Sequence, residues 1–210
     1  MSDEVRDHWH WRPGWREGRS FYTWHLTFAQ HPEAADLVAA YQPVLAGMPG
    51  LAPVPLEWIH LTLQGLGFTD RVDQRDLDAI IEAAEFRLAG FSPIPVTIGP
   101  ALLDLETVQL PVRPVEPLQR LRDAVRTAIA DVWGPDAIPE LPELHPHISL
   151  GYFTDAAPAA PLRNQLAAAP GHSTALTITS LSLIDLNRDH RMYQWTPVTT
   201  LRLAPLHKPV

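Results

Sequence analysis

Hydrophobic positions fall along the chain in two alternating rhythms. From Phe21 to Phe28 the run FYTWHLTF is dense in aromatic and β-favouring residues and predicts a strand. Between Pro32 and Leu45 the apolar residues Ala34, Leu37, Val38, Tyr41 and Leu45 recur at helical spacing. The Pro/Gly stretch MPGLAPVP interrupts the pattern, and Leu56 to Phe68 predicts a second strand, bent at Gly65 and Gly67. A second helix is expected over Asp76 to Leu88, with Leu77, Ile80, Ile81, Ala84 and Leu88 on one stripe. Short strands follow at Pro95 to Ile98 and Thr107 to Leu110. A third helix, Pro117 to Trp133, has Pro117 in its first turn and is stopped by Gly134 and Pro135. The pattern closes with a strand at His147 to Phe153 and a short helix at Pro161 to Ala169. Strands at Leu176 to Leu186 and Tyr193 to Leu203 end it, joined by the polar turn NRDHR.

Strands interleaved with helices and ending in a hairpin predict an α+β fold. The halves also echo each other. Each supplies a helix, a proline-rich approach and a strand carrying a His-x-Thr or His-x-Ser phrase. This predicts one bilobal domain over residues 21–210, its lobes related by a pseudo-twofold axis. Ahead of it, residues 1–20 form a Trp-rich arm in which Trp9, Trp11 and Trp15 stand among arginines, glycines and Pro13. Those indoles are expected to pack on the fold rather than on a ligand.

Composition narrows the function classes. The chain has 210 residues, of which 46% are hydrophobic and 19% charged, as suits a globular rather than a disordered chain, and a monomer is expected. It has no cysteine, which removes disulfides and thiolate metal sites. The opening MSDEVRDHWHWRPGW lacks a secretory pattern and no apolar stretch is long enough to span a membrane, so a cytoplasmic protein without a membrane partner is expected. With 24 acidic against 16 basic residues, the formal charge of -8 argues against a broad nucleic-acid surface. A nucleotide or an RNA end held in a local pocket is compatible with it. His8 and His10 lack a third ligand at metal spacing, so they are assigned to a solvated arm and no metal or cofactor is expected.

Four histidines stand two residues before Ser or Thr: His25, His60, His147 and His172. His172 follows a Pro-Gly turn and is set aside. In a strand, residues two apart share a face. His60 and Thr62 therefore point one way while Ile59, Leu61 and Leu63 point the other, and His147 and Ser149 are backed in the same way by Ile148 and Leu150. An imidazole beside a hydroxyl makes half of a phosphate site. Displacement at phosphorus is in line, so it needs a base on one side and an acid on the other. Two facing half-sites supply both, and histidine serves in either role near neutrality. His25 with Thr27, and Gln64 on the predicted His60 face, are candidates to line such a cleft. His145 is a candidate to tune His147.

The segments HLTLQGLGF and PHISLGYF resemble the paired H-x-T/S motifs of the two-histidine (2H) phosphoesterase superfamily, which includes RNA 2′,3′-cyclic phosphodiesterases and the proteins named 2′-5′ RNA ligase. The resemblance extends over nearly the whole chain in its order of elements. It implies two antiparallel-rich sheets with flanking helices around a central cleft that holds His60, Thr62, His147 and Ser149. It implies metal-independent hydrolysis of a cyclic phosphodiester, a 2′,3′-cyclic nucleotide or RNA end, with His60 taken as the acid and His147 as the base. RNA end processing of the 2′-5′ ligase type and a non-catalytic nucleotide-binding module are the alternatives. Many relatives carry an aromatic residue where this chain has Gly65, and an arginine where it has Tyr152. Phe68 and Tyr152 are the candidate stacking surfaces in their place.

Overall fold

Two antiparallel sheets face each other, and each receives strands from both halves of the chain. The computed structural model describes residues 3–138 and 143–203. The first half supplies β1 (Glu4–Val5), β2 (Phe21–Thr27), α1 (Pro32–Ala46), β3 (Leu51–Pro53), β4 (His60–Phe68) and α2 (Gln74–Leu88). The middle supplies β5 (Ile94–Ile98), β6 (Leu102–Leu103), β7 (Thr107–Arg113), α3 (Val115–Trp133) and β8 (His147–Phe153). The last part supplies β9 (Ala157–Pro158), α4 (Ala159–Ala168), β10 (Thr174–Ile178), β11 (Ser180–Asn187) and β12 (Gln194–Arg202).

One sheet has the order β12-β11-β2-β4; the other has the order β10-β5-β7-β8-β3, with β6 added beside β7. The helices are exchanged between them. Helix α1, which leads into β4, packs on β3 and β10 of the other sheet, while α3, which leads into β8, packs on β4 and on α2. Neither lobe is therefore a continuous piece of chain. Trp24, Phe28, Ile59, Leu61 and Leu63 on one sheet, and Ile98, Val108, Ile148 and Phe153 on the other, are almost wholly buried. The α+β architecture and the two sheets are those expected from the sequence.

Two predicted strands differ. Residues 56–58 form a 3₁₀ turn, Leu56–Trp58, instead of the start of β4. The Trp58 N–H donates to the Pro55 carbonyl at 2.9 Å, so a proline-set turn wins over the β propensity of the run. The predicted strand from Leu176 to Leu186 is two strands that break at Thr179. β10 pairs with β5, whereas β11 pairs with β2 and β12 in the other sheet. Burial records the switch: β10 alternates between exposed and buried residues, while Leu181, Ser182, Leu183 and Ile184 of β11 are all buried.

The first residues are part of the body. β1 pairs with β9, and Trp9 is 7% exposed. Trp15 is half-buried and Trp11 is exposed, so the indoles divide between packing and surface.

Candidate active site

Strands β4 and β8, one from each sheet, touch across the space between the lobes. Ile59, Leu61 and Leu63 are each 1% exposed behind β4, and Ile148 and Leu150 are equally buried behind β8, so both strands are rigid platforms. The histidine at the head of each strand is anchored in the same way. His60 Nδ1 donates to the Trp58 carbonyl at 2.8 Å, and His147 Nδ1 donates to the His145 carbonyl at 2.8 Å. Both acceptors lie two residues upstream. With a ring proton held at Nδ1, Nε2 of each imidazole is the nitrogen left to exchange a proton with a ligand. His145 thus acts on His147 through its carbonyl, not its own ring, which is exposed.

A cavity of about 530 Å³ is bordered by His25, His60, Thr62, His147, Ser149 and Tyr152 together. That volume lies within the range of small-molecule sites. His25 is 1% exposed and lies parallel to His60, ring centroids 4.4 Å apart at 2°. Its Nε2 is 3.1 Å from Thr62 Oγ1. Burial pushes both imidazoles toward the neutral form. His60 is lowered to about 4, by desolvation and by nearby His147, and His25 falls well below 6.5, by desolvation and by His60.

Gln64 is not in this cleft. Leu63 and Leu66 are extra residues in β4 relative to β2, since Thr62 faces His25, Gln64 faces Trp24 and Gly65 faces Thr23. The bulge at Leu63 reverses the alternation and turns Gln64 to the helix side. There its Oε1 accepts from Arg122 Nε at 3.3 Å and Arg126 Nη1 at 3.1 Å. A matching bulge at Leu150, between Ser149 and Gly151, has the opposite consequence in β8. It returns Tyr152 to the face of Ser149, and both border the cavity.

The aromatic residues are also redistributed. Tyr152 is 3% exposed and its ring face is covered by His8 at 4.4 Å, so its stacking surface is already occupied. Phe68 stands behind the cavity wall against Phe21 and Trp15, at 5.0 and 5.3 Å, with the Arg19 guanidinium 3.6 Å over its ring. The wall itself is Phe21 and Trp15. A Cβ at Gly65 would lie 3.0 Å from Phe21 Cε1. Phe21, from the neighbouring strand, takes up the space over Gly65.

Further lining residues escaped the sequence reading. His8, assigned above to a solvated arm, is 6% exposed and bonded through Nδ1 to Glu106 Oε2 at 2.9 Å and through Nε2 to Tyr193 Oη at 3.0 Å. Burial and the Arg12 charge hold it down to about 4 against the pull of Glu106. Arg188 Nη2 donates to the carbonyls of His8 and His10 at 3.3 and 3.2 Å and pins the arm over the cleft. The only local signal was aromatic density in a polar segment. Partners 98 and 185 residues away leave no trace in HWHW. Among the described residues no cluster of three His, Cys, Asp or Glu side chains has metal-binding geometry. No described helix is long and apolar enough to cross a membrane.

A family model described as 2′-5′ RNA ligase superfamily matches residues 48–190, more than half of the chain. No curated protein sequence matches it. Among solved structures, TT0787 of Thermus thermophilus superposes with a TM-score of 0.68 at 19% identity, covering 90% of this chain and 100% of that one. E. coli LigT complexed with 3′-AMP gives 0.63 at 17% identity, with 88% and 98% covered. A protein described as a phosphoesterase gives 0.63 at 20% identity, with 89% and 98% covered. At these identities the likeness is one of fold.

Proposed function

The chain belongs to the 2′-5′ RNA ligase superfamily, the 2H phosphoesterases, and from that premise we propose that it hydrolyses a cyclic phosphodiester, a 2′,3′-cyclic nucleotide or RNA end, to a phosphomonoester. The observation that carries this reading is the equivalence of the half-sites. Two imidazole–hydroxyl pairs border one cavity, each ring anchored through Nδ1 to the carbonyl two residues upstream.

In this reading one histidine takes a proton from water as the water oxygen attacks phosphorus. The opposite histidine gives a proton to the 2′ or 3′ oxygen as its bond to phosphorus breaks. One P–O ester bond is exchanged for a P–OH bond, and the proton taken up on one side balances the proton released on the other. Thr62 and Ser149 donate to the non-bridging oxygens, where charge builds up in the transition state. The two side chains supply both proton transfers, so the step is proposed to run without a metal ion.

The burial difference favours the reverse of the role order taken from the sequence. Desolvation favours the neutral form of buried His60, the form in which a base must start. His60 is then the base and His147 the acid. The sign of the pH dependence follows. A base must be deprotonated, and His60 gains its proton only near pH 4 in the free protein, so kcat/KM keeps its value as pH falls below 6.5 and declines only as that region is reached. A bound phosphate anion favours imidazolium, so the acid limb of kcat lies at higher pH than that of kcat/KM.

The test is incubation with 2′,3′-cyclic AMP in the presence of EDTA, followed by phosphorus NMR. The expected result is conversion to a monoester at a rate unchanged by the chelator, with a bell-shaped pH profile. Tight binding without turnover would overturn the hydrolase reading in favour of a binding module.

A further inference from the structure

We infer that His25 is a positioning residue that fixes the Thr62 hydroxyl as a hydrogen-bond donor into the cleft. The inference deepens, and rests on, the cyclic-phosphate reading above. His25 and Thr62 are paired across β2 and β4, and both border the cavity. Between His25 Nε2 and Thr62 Oγ1, 3.1 Å apart, there is room for one proton. If Thr62 supplied it, the hydroxyl would be directed inward and would offer the cleft only lone pairs, which repel a phosphate oxygen. If His25 supplies it, the Thr62 proton is released toward the cleft.

The other ring nitrogen decides between the two. His25 Nδ1 is buried and has no hydrogen-bond partner among the described residues. A neutral imidazole carries one N–H. Placed on Nδ1, that donor would be orphaned in the interior while Nε2 accepted from Thr62. Placed on Nε2, it is satisfied, and the orphan is only a lone pair. A buried N–H without an acceptor is the rarer and costlier of the two. A doubly protonated ring would add an unpaired charge to the orphaned donor, and burial together with His60 holds His25 neutral. The Nε2–H tautomer is therefore selected.

One ring thus organises a whole half-site. His25 orients the hydroxyl of Thr62 with its edge and supports the imidazole of His60 with its face, at 4.4 Å and 2°.

The direct test is long-range ¹H–¹⁵N NMR of the imidazoles in the ligand-free protein. The expected result is a neutral His25 in the Nε2–H form; the Nδ1–H form overturns the inference whatever the substrate proves to be. The kinetic test is a cycle of His25→Phe and Thr62→Val, with thermal melts to establish folding. His25→Phe keeps an aromatic face and removes the donor. It is expected to lower kcat for 2′,3′-cyclic AMP about tenfold, the worth of one such hydrogen bond, with KM little changed. That loss is expected to vanish in the Thr62→Val background, and His25→Gln, which retains a donor, is expected to recover part of it. Equal losses in both backgrounds would show that His25 acts independently of Thr62, and would sink the idea. Absence of turnover in the parent protein defeats the hydrolase reading instead, and leaves the tautomer to be judged by NMR alone.

Discussion

Alanine at His60 or at His147 is expected to lower kcat for cyclic-phosphate hydrolysis by about 10² to 10⁴-fold, the usual contribution of a positioned acid or base. The double variant is expected to lose little more than either single one. An in-line displacement that lacks its base gains little from an acid still in place, so the two losses do not add. The controls differ because the rings sit differently. His147 is exposed, so its removal leaves the core intact. His60 is 9% exposed and packed on His25, so truncation opens space beside a second buried ring. His60→Gln fills much of that space and separates a chemical loss from a packing loss. Single-turnover measurement on 2′,3′-cyclic AMP reads the effect, and near-parental rates in both alanine variants would remove the histidines from the mechanism.

Trp9→Ala is expected to destabilise the fold by about 3–5 kcal/mol, the range for truncating a large buried aromatic residue. Trp9 is 7% exposed and meets His8, Tyr152 and Tyr193 with ring centroids 5.0 to 5.2 Å apart. The Arg188 guanidinium lies 5.4 Å from its ring centre. The arm is held by this cluster, by the pairing of Glu4 and Val5 with Pro158 and Ala157, and by the two hydrogen bonds from Arg188. Loosening it removes His8, Arg12 and Trp15 from the cavity wall, so KM is expected to rise along with the loss of stability. Urea unfolding gives the first quantity and substrate titration the second. A change below about 0.5 kcal/mol, the scale of an ordinary surface substitution, would mean that the arm merely rests on the body.

The central pair of motifs was legible in the sequence because it is local. In HLTLQGLGF and PHISLGYF a period of two places His60 with Thr62, and His147 with Ser149, whatever the strands pair with. Beyond those residues the alternation gave wrong faces. Gln64 belonged with His60 on paper, yet Leu63 has no partner in β2 and the bulge turns Gln64 to Arg122 and Arg126. Whether a strand bulges is decided by its neighbour, and a single segment does not contain that information. The break at Thr179 was hidden for a related reason, since both pieces favour β structure and only their pairing partners differ. His8 was missed because its partners, Glu106 and Tyr193, lie far along the chain. Phe68 is not the aromatic wall that its place in the motif suggests, because Phe21 and Trp15 stand in front of it.

The account depends on both half-sites acting on a single phosphorus, and a crystal structure with a nucleoside and orthovanadate tests that most directly. The predicted result is one trigonal-bipyramidal vanadium in the cavity. Nε2 of His60 and of His147 should lie about 3 Å from its two opposite apical oxygens, with Thr62 and Ser149 donating to equatorial ones. Vanadate held by one histidine alone, or seated away from both, would contradict it.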